Sequence, residues 1–129
     1  MTLFFKEIIK KVDDFMTMSN QEVNNKPTLV NNELWRLRHE LMREENDEYF
    51  GACLNEDLVE VADALGDQLY ILLGTILAHG MQYKIEEVFQ LIHSNNMAKC
   101  PVGVCLFRED GKLIKPEGFE KVELSTIFK

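Results

Sequence analysis

Between Glu44 and Tyr83 there is no Lys or Arg, although nine Asp and Glu residues fall in that stretch. The whole chain has 22 acids and 14 bases, so elsewhere 13 acids stand against 14 bases, and the formal charge of -8 at pH 7 comes from this one segment. An acidic surface of this kind repels a phosphate backbone, which excludes a general nucleic-acid binder. A small anionic substrate stays open if a metal supplies the positive charge. Cysteine is scarce and odd in number: Cys53, Cys100 and Cys105, with no C-x-x-C pair. That argues against a disulfide framework and against a structural zinc site, and it suits a reducing cytoplasm, with all three thiols expected to pack. No uncharged apolar run approaches the roughly 20 residues needed to cross a bilayer, since the longest, Leu69 to Ala78, is half that. The first residues, with Lys6 and Glu7 inside the first apolar run, do not read as a signal peptide, so no membrane partner is expected. Internal repeats and low-complexity segments are absent as well.

What is there is helical periodicity. The 129 residues are 46% hydrophobic and 28% charged, ordinary for one soluble domain with a real core. Phe4, Phe5, Ile8, Ile9, Val12, Phe15 and Met16 place a helix over 3–18. The polar stretch 19–27 reads as a loop. Asn31 or Asn32 can cap a second helix that runs to about Phe50 and stops at Gly51. Asn55 can cap a third, running to about His79 with Gly80 as its stop, and a fourth covers about Lys84 to Asn95. After Pro101, Asp110-Gly111 between two β-prone runs reads as a hairpin turn, and the end of the chain as irregular. The expected fold is all-α: one domain over 1–129, a four-to-five-helix bundle with its core at about 30–100 and a short C-terminal β-hairpin or extended arm over 101–129.

The second helix carries an apolar stripe at Leu34, Leu37 and Leu41, and the same stripe continues as Glu44, Glu45 and Glu48. The third helix has an apolar stripe at Leu58, Val61, Ala62, Leu65, Leu69, Leu72 and Ile76, taken as its core face, and beside it Glu60, Asp63, Asp67 and Tyr70 at steps of three, four and three. Carboxylates crowded on inward faces repel one another unless they hold a cation. Hard oxygen ligands from two helices suit Mg²⁺, with Mn²⁺ as the other candidate, and no His or Cys joins the set. A solvated acidic face is the plainer reading of a charge run, and it is adopted for Asp47, Glu56 and Asp57. For Glu44, Glu45, Glu48, Glu60 and Asp63 the metal is preferred.

Glu44-Glu45-Asn46-Asp47-Glu48 followed by Glu60-Val61-Ala62-Asp63 has the form E-E-x-x-E … E-x-x-D, and resembles the all-α nucleoside triphosphate pyrophosphohydrolases, the MazG-like and phosphoribosyl-ATP pyrophosphohydrolase-like proteins. Asp63 to Tyr70, His93 to Lys99 and the ending Asp110 to Pro116 are similar to further segments of those families, so the resemblance covers about 30 to 120. The eleven residues between Glu48 and Glu60 are fewer than in many MazG-like proteins. The resemblance implies a Mg²⁺-dependent hydrolase that splits a (d)NTP into (d)NMP and pyrophosphate by attack of a metal-activated water. The alternatives are phosphoribosyl-ATP as substrate, or a non-catalytic nucleotide-binding or regulatory protein of the same fold. It implies Glu45, Glu48, Glu60 and Asp63 as ligands and Glu44 at a second ion or orienting the water. It gives Asp67 to the support of the cluster, and Asn96 and Lys99, the latter as the catalytic cation, to phosphate or sugar. Tyr70 either stacks on a base or packs, and Arg38 either binds phosphate or pairs with a neighbouring acid. A homodimer or homotetramer is also implied.

Overall fold

A computed structural model describes residues 1–100 and 103–128. Pro101, where the sequence is expected to change character, and Lys129, the last residue of the expected arm, lie outside the described residues. The chain is all-α, with four α-helices and, among the described residues, no strand. It divides into two compact units, Met1–Tyr83 and Lys84–Lys129.

The first unit is a three-helix bundle. Helix α1 spans Leu3–Met18, with Ile9, Val12 and Met16 buried at helical spacing. Helix α2 spans Asn32–Leu54, capped by Asn31, whose side chain accepts from the Leu34 N–H at 2.9 Å. Helix α3 spans Leu58–Ala78 and packs against both α1 and α2. By length and apolar content α3 could cross a membrane. Its acids and its packing against two other helices suit the central helix of a bundle instead.

Three boundary expectations change. Helix α2 does not stop at Gly51 but continues to Leu54, because an open-sided glycine inside a long packed helix costs only about 1 kcal/mol. Asn55 therefore closes α2 instead of opening α3. The α3 cap is Asp57, whose carboxylate accepts from the Glu60 N–H at 3.1 Å.

The core face of α3 is the expected one only at Ile76. Ala64, Leu73, Gly74, Ile76, Leu77 and Ala78 are buried, whereas Leu58 is 80% exposed and Leu65, Leu69 and Leu72 stand largely in solvent within the single chain. The helix ends as expected at Gly80, whose φ of +66° suits glycine. A Cβ there would lie 2.0 Å from the Lys26 carbonyl oxygen, so the glycine also admits the loop between α1 and α2. That loop is held to the end of α3 by Asn24 and Thr28, which bond Leu77, Ala78 and His79.

In the second unit, helix α4 spans Ile85–Ala98, three residues further than expected, so Asn96 lies inside it and only Lys99 caps it. The hairpin reduces to a single antiparallel bridge between Phe107 and Leu113. Its turn is the expected one: Gly111 has φ +88°, and Asp110 accepts from the Lys112 N–H and pairs with Arg108. The ladder does not extend because Leu106, Phe107 and Ile114 are exposed and have no layer to pack against. The chain ends in a 3-10 turn, Leu124–Phe128. Contrary to the expectation that all three thiols pack, Cys100 and Cys105 form a disulfide, with Cα atoms 4.6 Å apart, and Cys53 is free and exposed.

Candidate metal centre

Glu45 and Glu48 sit three residues apart on α2, one turn beyond the apolar residues that seat this helix on α3. Asp63 and Asp67 sit four apart on α3. Across the helix pair, Gln68 donates to the Glu45 carbonyl at 3.4 Å and to the Asn46 side chain at 3.3 Å, tying the two turns that carry the acids. Glu45, Glu48 and Asp67 thereby each offer a carboxylate oxygen within 4.8 Å of the other two. Glu48 also lines an adjoining cleft of about 510 Å³ with Asn55, Asp57, Glu60 and Asp63. Five of the six expected acids thus meet around Glu48. The sixth, Glu44, is exposed and belongs to neither group. Asp67, expected among the metal residues in a supporting place, stands in the close triad itself.

Electrostatics make this cluster costly when empty of charge compensation. Glu45 is half-buried, and its Oε2 is shielded from solvent with no hydrogen-bond partner. Burial pushes the Glu45 carboxyl up to about 7. The neighbouring Glu48 carboxyl and the charges of Asp67 and Asp63 act in the same direction. Arg43, on the same helix, gives no relief, because it is engaged by Glu40 and Asp47. That pairing also accounts for Asp47, which is a surface residue as expected. An orphaned carboxylate oxygen beside two further carboxylates is a donor set that fits a hard divalent cation.

A pH dependence follows, with a definite sign. Glu45 binds its proton more tightly in the folded chain than in the unfolded one. In EDTA its effect is therefore to destabilise the fold above about pH 7 and to relax that penalty as pH falls toward the ordinary carboxylate range. Added Mg²⁺ must displace the proton, so the metal-induced rise in melting temperature should grow from pH 6 to pH 8. Melting curves with and without metal across that range check both trends. A metal response that shrinks with rising pH would contradict the placement of Glu45 at the ion.

The remaining expected residues are spread over the fold. Tyr70 lies one turn beyond Asp67, its ring 5.8 Å from that of Phe15, and both line a slot of about 150 Å³ with Leu41 and Arg38. Arg38 is 6% exposed and is held by Thr75, Ile71 and Gln21, so it is a wall of the slot more than a free cation. Asn96 and Lys99 belong to the second unit, where Lys99 donates to Asn96 at 2.9 Å. Gln68, which joins the two acid-bearing turns, went unnoticed in the sequence, because a lone amide has no pattern to announce it. The signal was its place, one residue after Asp67 in a helix face turned to α2.

No curated protein matches the chain at a significant level. A family model for phosphoribosyl-ATP pyrophosphohydrolase matches residues 12–96, which span the last turns of α1, all of α2 and α3 and most of α4, and include all six acids. With two-thirds of its length covered, this chain belongs to the phosphoribosyl-ATP pyrophosphohydrolase family, within the all-α NTP pyrophosphatase superfamily.

Proposed function

We propose that the protein is a Mg²⁺-dependent pyrophosphohydrolase that cleaves a (d)NTP to (d)NMP and pyrophosphate. The observation that carries this reading is the convergence of Glu45, Glu48 and Asp67 within 4.8 Å, beside a cleft that adds Glu60 and Asp63. These five residues would hold the ion, with Mn²⁺ as the other candidate. When bound, Mg²⁺ supplies the positive charge that offsets the triphosphate and the departing pyrophosphate. Glu44, exposed and next to Glu45 on α2, orients the attacking water. That water adds to the α-phosphorus while the bond from that phosphorus to the bridging oxygen breaks. Tyr70, partly exposed beside Phe15, stacks on the base, with Arg38 in the wall of the slot behind it. In the second unit, Asn96 and Lys99 offer a phosphate or sugar contact of their own.

A second reading, phosphoribosyl-ATP as substrate, is favoured by the family description itself. One panel separates the two: NTPs, dNTPs and phosphoribosyl-ATP, each with Mg²⁺ and with EDTA, scoring pyrophosphate apart from phosphate. Pyrophosphate from dNTPs or NTPs, lost in EDTA, supports the first reading. Turnover of phosphoribosyl-ATP alone supports the second, and release of inorganic phosphate only would sink both.

We also propose a homodimer or homotetramer in the cytoplasm. The support is the α3 stripe of Leu58, Leu65, Leu69 and Leu72, an apolar face too continuous to be left in water. Sedimentation of the parent should give a multiple of 15.0 kDa, and Leu65→Glu with Leu69→Glu should shift it toward the single chain. A monomeric parent would remove this proposal.

A further inference from the structure

We infer that the second unit carries its own phosphate-group site, built by the C-terminal arm against the last turn of α4. Asn95, buried in α4, clamps the arm from both sides: it donates to the Val122 carbonyl at 3.2 Å and accepts from the Val122 N–H at 2.9 Å. That fixes Lys121 next to it. The turn that closes at Gly118, with the Phe119 N–H on the Pro116 carbonyl at 3.1 Å, brings the Phe119 ring 6.0 Å from the Lys99 ammonium. Lys115 follows Ile114, whose N–H is bonded to the Leu106 carbonyl at 2.7 Å.

The result is a pocket of about 190 Å³ lined by Lys99, Lys115 and Lys121 with Asn95, Asn96, Ile92 and Phe119, and by no carboxylate. In a chain of net charge -8, three lysines line this one pocket, and none of them makes an ion pair among the described residues. The Lys99 side chain is held by Asn96, and the backbone beside Lys115 and beside Lys121 is fixed by the Ile114 and Val122 bonds. Three lysines around one pocket, with amide groups beside them and no carboxylate in the lining, suit an anion with several oxygens. The volume is below the roughly 300 Å³ at which sites for drug-sized ligands begin, so the occupant is one or two phosphoryl groups and not a whole nucleoside. This builds on the phosphate role given to Asn96 and Lys99 and adds Lys115 and Lys121 from the arm.

Titrating pyrophosphate into the full-length protein in EDTA, by calorimetry, tests the site apart from the hydrolase reading. The expected result is one pyrophosphate per chain, weakened about tenfold or more in the Lys115→Gln, Lys121→Gln double variant. Lys115→Arg and Glu48→Gln should keep it, and so should Lys6→Gln with Lys11→Gln on α1, which changes net charge equally. Displacement by AMP would identify a nucleotide phosphate as the anion, and resistance to AMP a free pyrophosphate. The site stands in either case. No binding in EDTA, retention of full affinity in the double variant, or equal weakening by the α1 pair would overturn the proposal.

Discussion

Glu48→Gln should abolish the stabilisation by Mg²⁺ and lower pyrophosphate release by at least about 100-fold, since even residues supporting a metal ligand cost 10- to 100-fold when removed. Glu48 is chosen because it belongs to both groups of acids, the close triad with Glu45 and Asp67 and the cleft with Glu60 and Asp63. The parent, at a metal concentration about 100 times its Kd, gains about 2.7 kcal/mol, which for a domain of this size raises the melting temperature on the order of 10 °C. The variant should show no such rise. In EDTA the order reverses. Removing one of several repelling carboxylates relieves Glu45, so metal-free Glu48→Gln should melt no lower than the metal-free parent. Glu44→Gln provides the contrast: Glu44 is exposed and outside the triad, so its loss should spare the metal response while reducing turnover. Thermal melts in EDTA and in Mg²⁺, with pyrophosphate assays alongside, check all three. If Glu48→Gln responds to metal as the parent does, the centre lies elsewhere.

The acids were legible because they break a pattern. The stripe of Leu34, Leu37 and Leu41 continues into Glu44, Glu45 and Glu48, and a helix face that turns from leucine to carboxylate needs a reason, although only Glu45 of the three is half-buried and Leu37, Glu44 and Glu48 stand exposed. Helix α1 was legible to the residue for the opposite cause: its apolar and charged faces are cleanly separated. Helix α3 was harder. It is apolar on several sides, so periodicity alone cannot choose the buried one, and the larger side chains Leu58, Leu65 and Leu69 drew the eye from Ala64 and Gly74. Small residues were inward because α2 and α1 approach closely there, which is a fact of packing and not of hydrophobicity. The Cys100–Cys105 link and the Lys115–Lys121 pocket were illegible for a further reason. The link joins cysteines five positions apart that no motif marks, and the pocket depends on the path of the arm, held by the Asn95 clamp across 27 residues of sequence, where a single amide leaves no trace in composition or spacing.

Arg38 is where scaffold and substrate roles are separable, and its substitution should have the largest effect on stability. The guanidinium lies 6% exposed between α2 and α3, donating to Thr75 Oγ1 at 3.0 Å, to the Ile71 carbonyl at 2.7 Å and to Gln21 at 3.4 Å. Burial lowers its pKa, and no carboxylate is paired with it among the described residues. Gly74 is the complement: a Cβ there would stand 2.5 Å from Arg38 Nη2. Arg38→Ala empties this space and should cost about 2–4 kcal/mol, the range for truncating a large core side chain. Arg38→Met should recover most of that, because an apolar side chain of similar length refills the space without a charge to bury. Gly74→Ala alone should also destabilise, by crowding the guanidinium, yet in the Arg38→Ala background the added methyl fills part of the void and its cost should vanish or change sign. Denaturant unfolding of the four proteins measures that coupling, and simple additivity would mean the two residues do not share the space. Pyrophosphate release by Arg38→Met then decides the role in substrate binding. A folded variant with the parent's KM makes Arg38 a wall of the slot and nothing more, whereas a folded variant with KM raised tenfold or more returns it to the phosphate or the base.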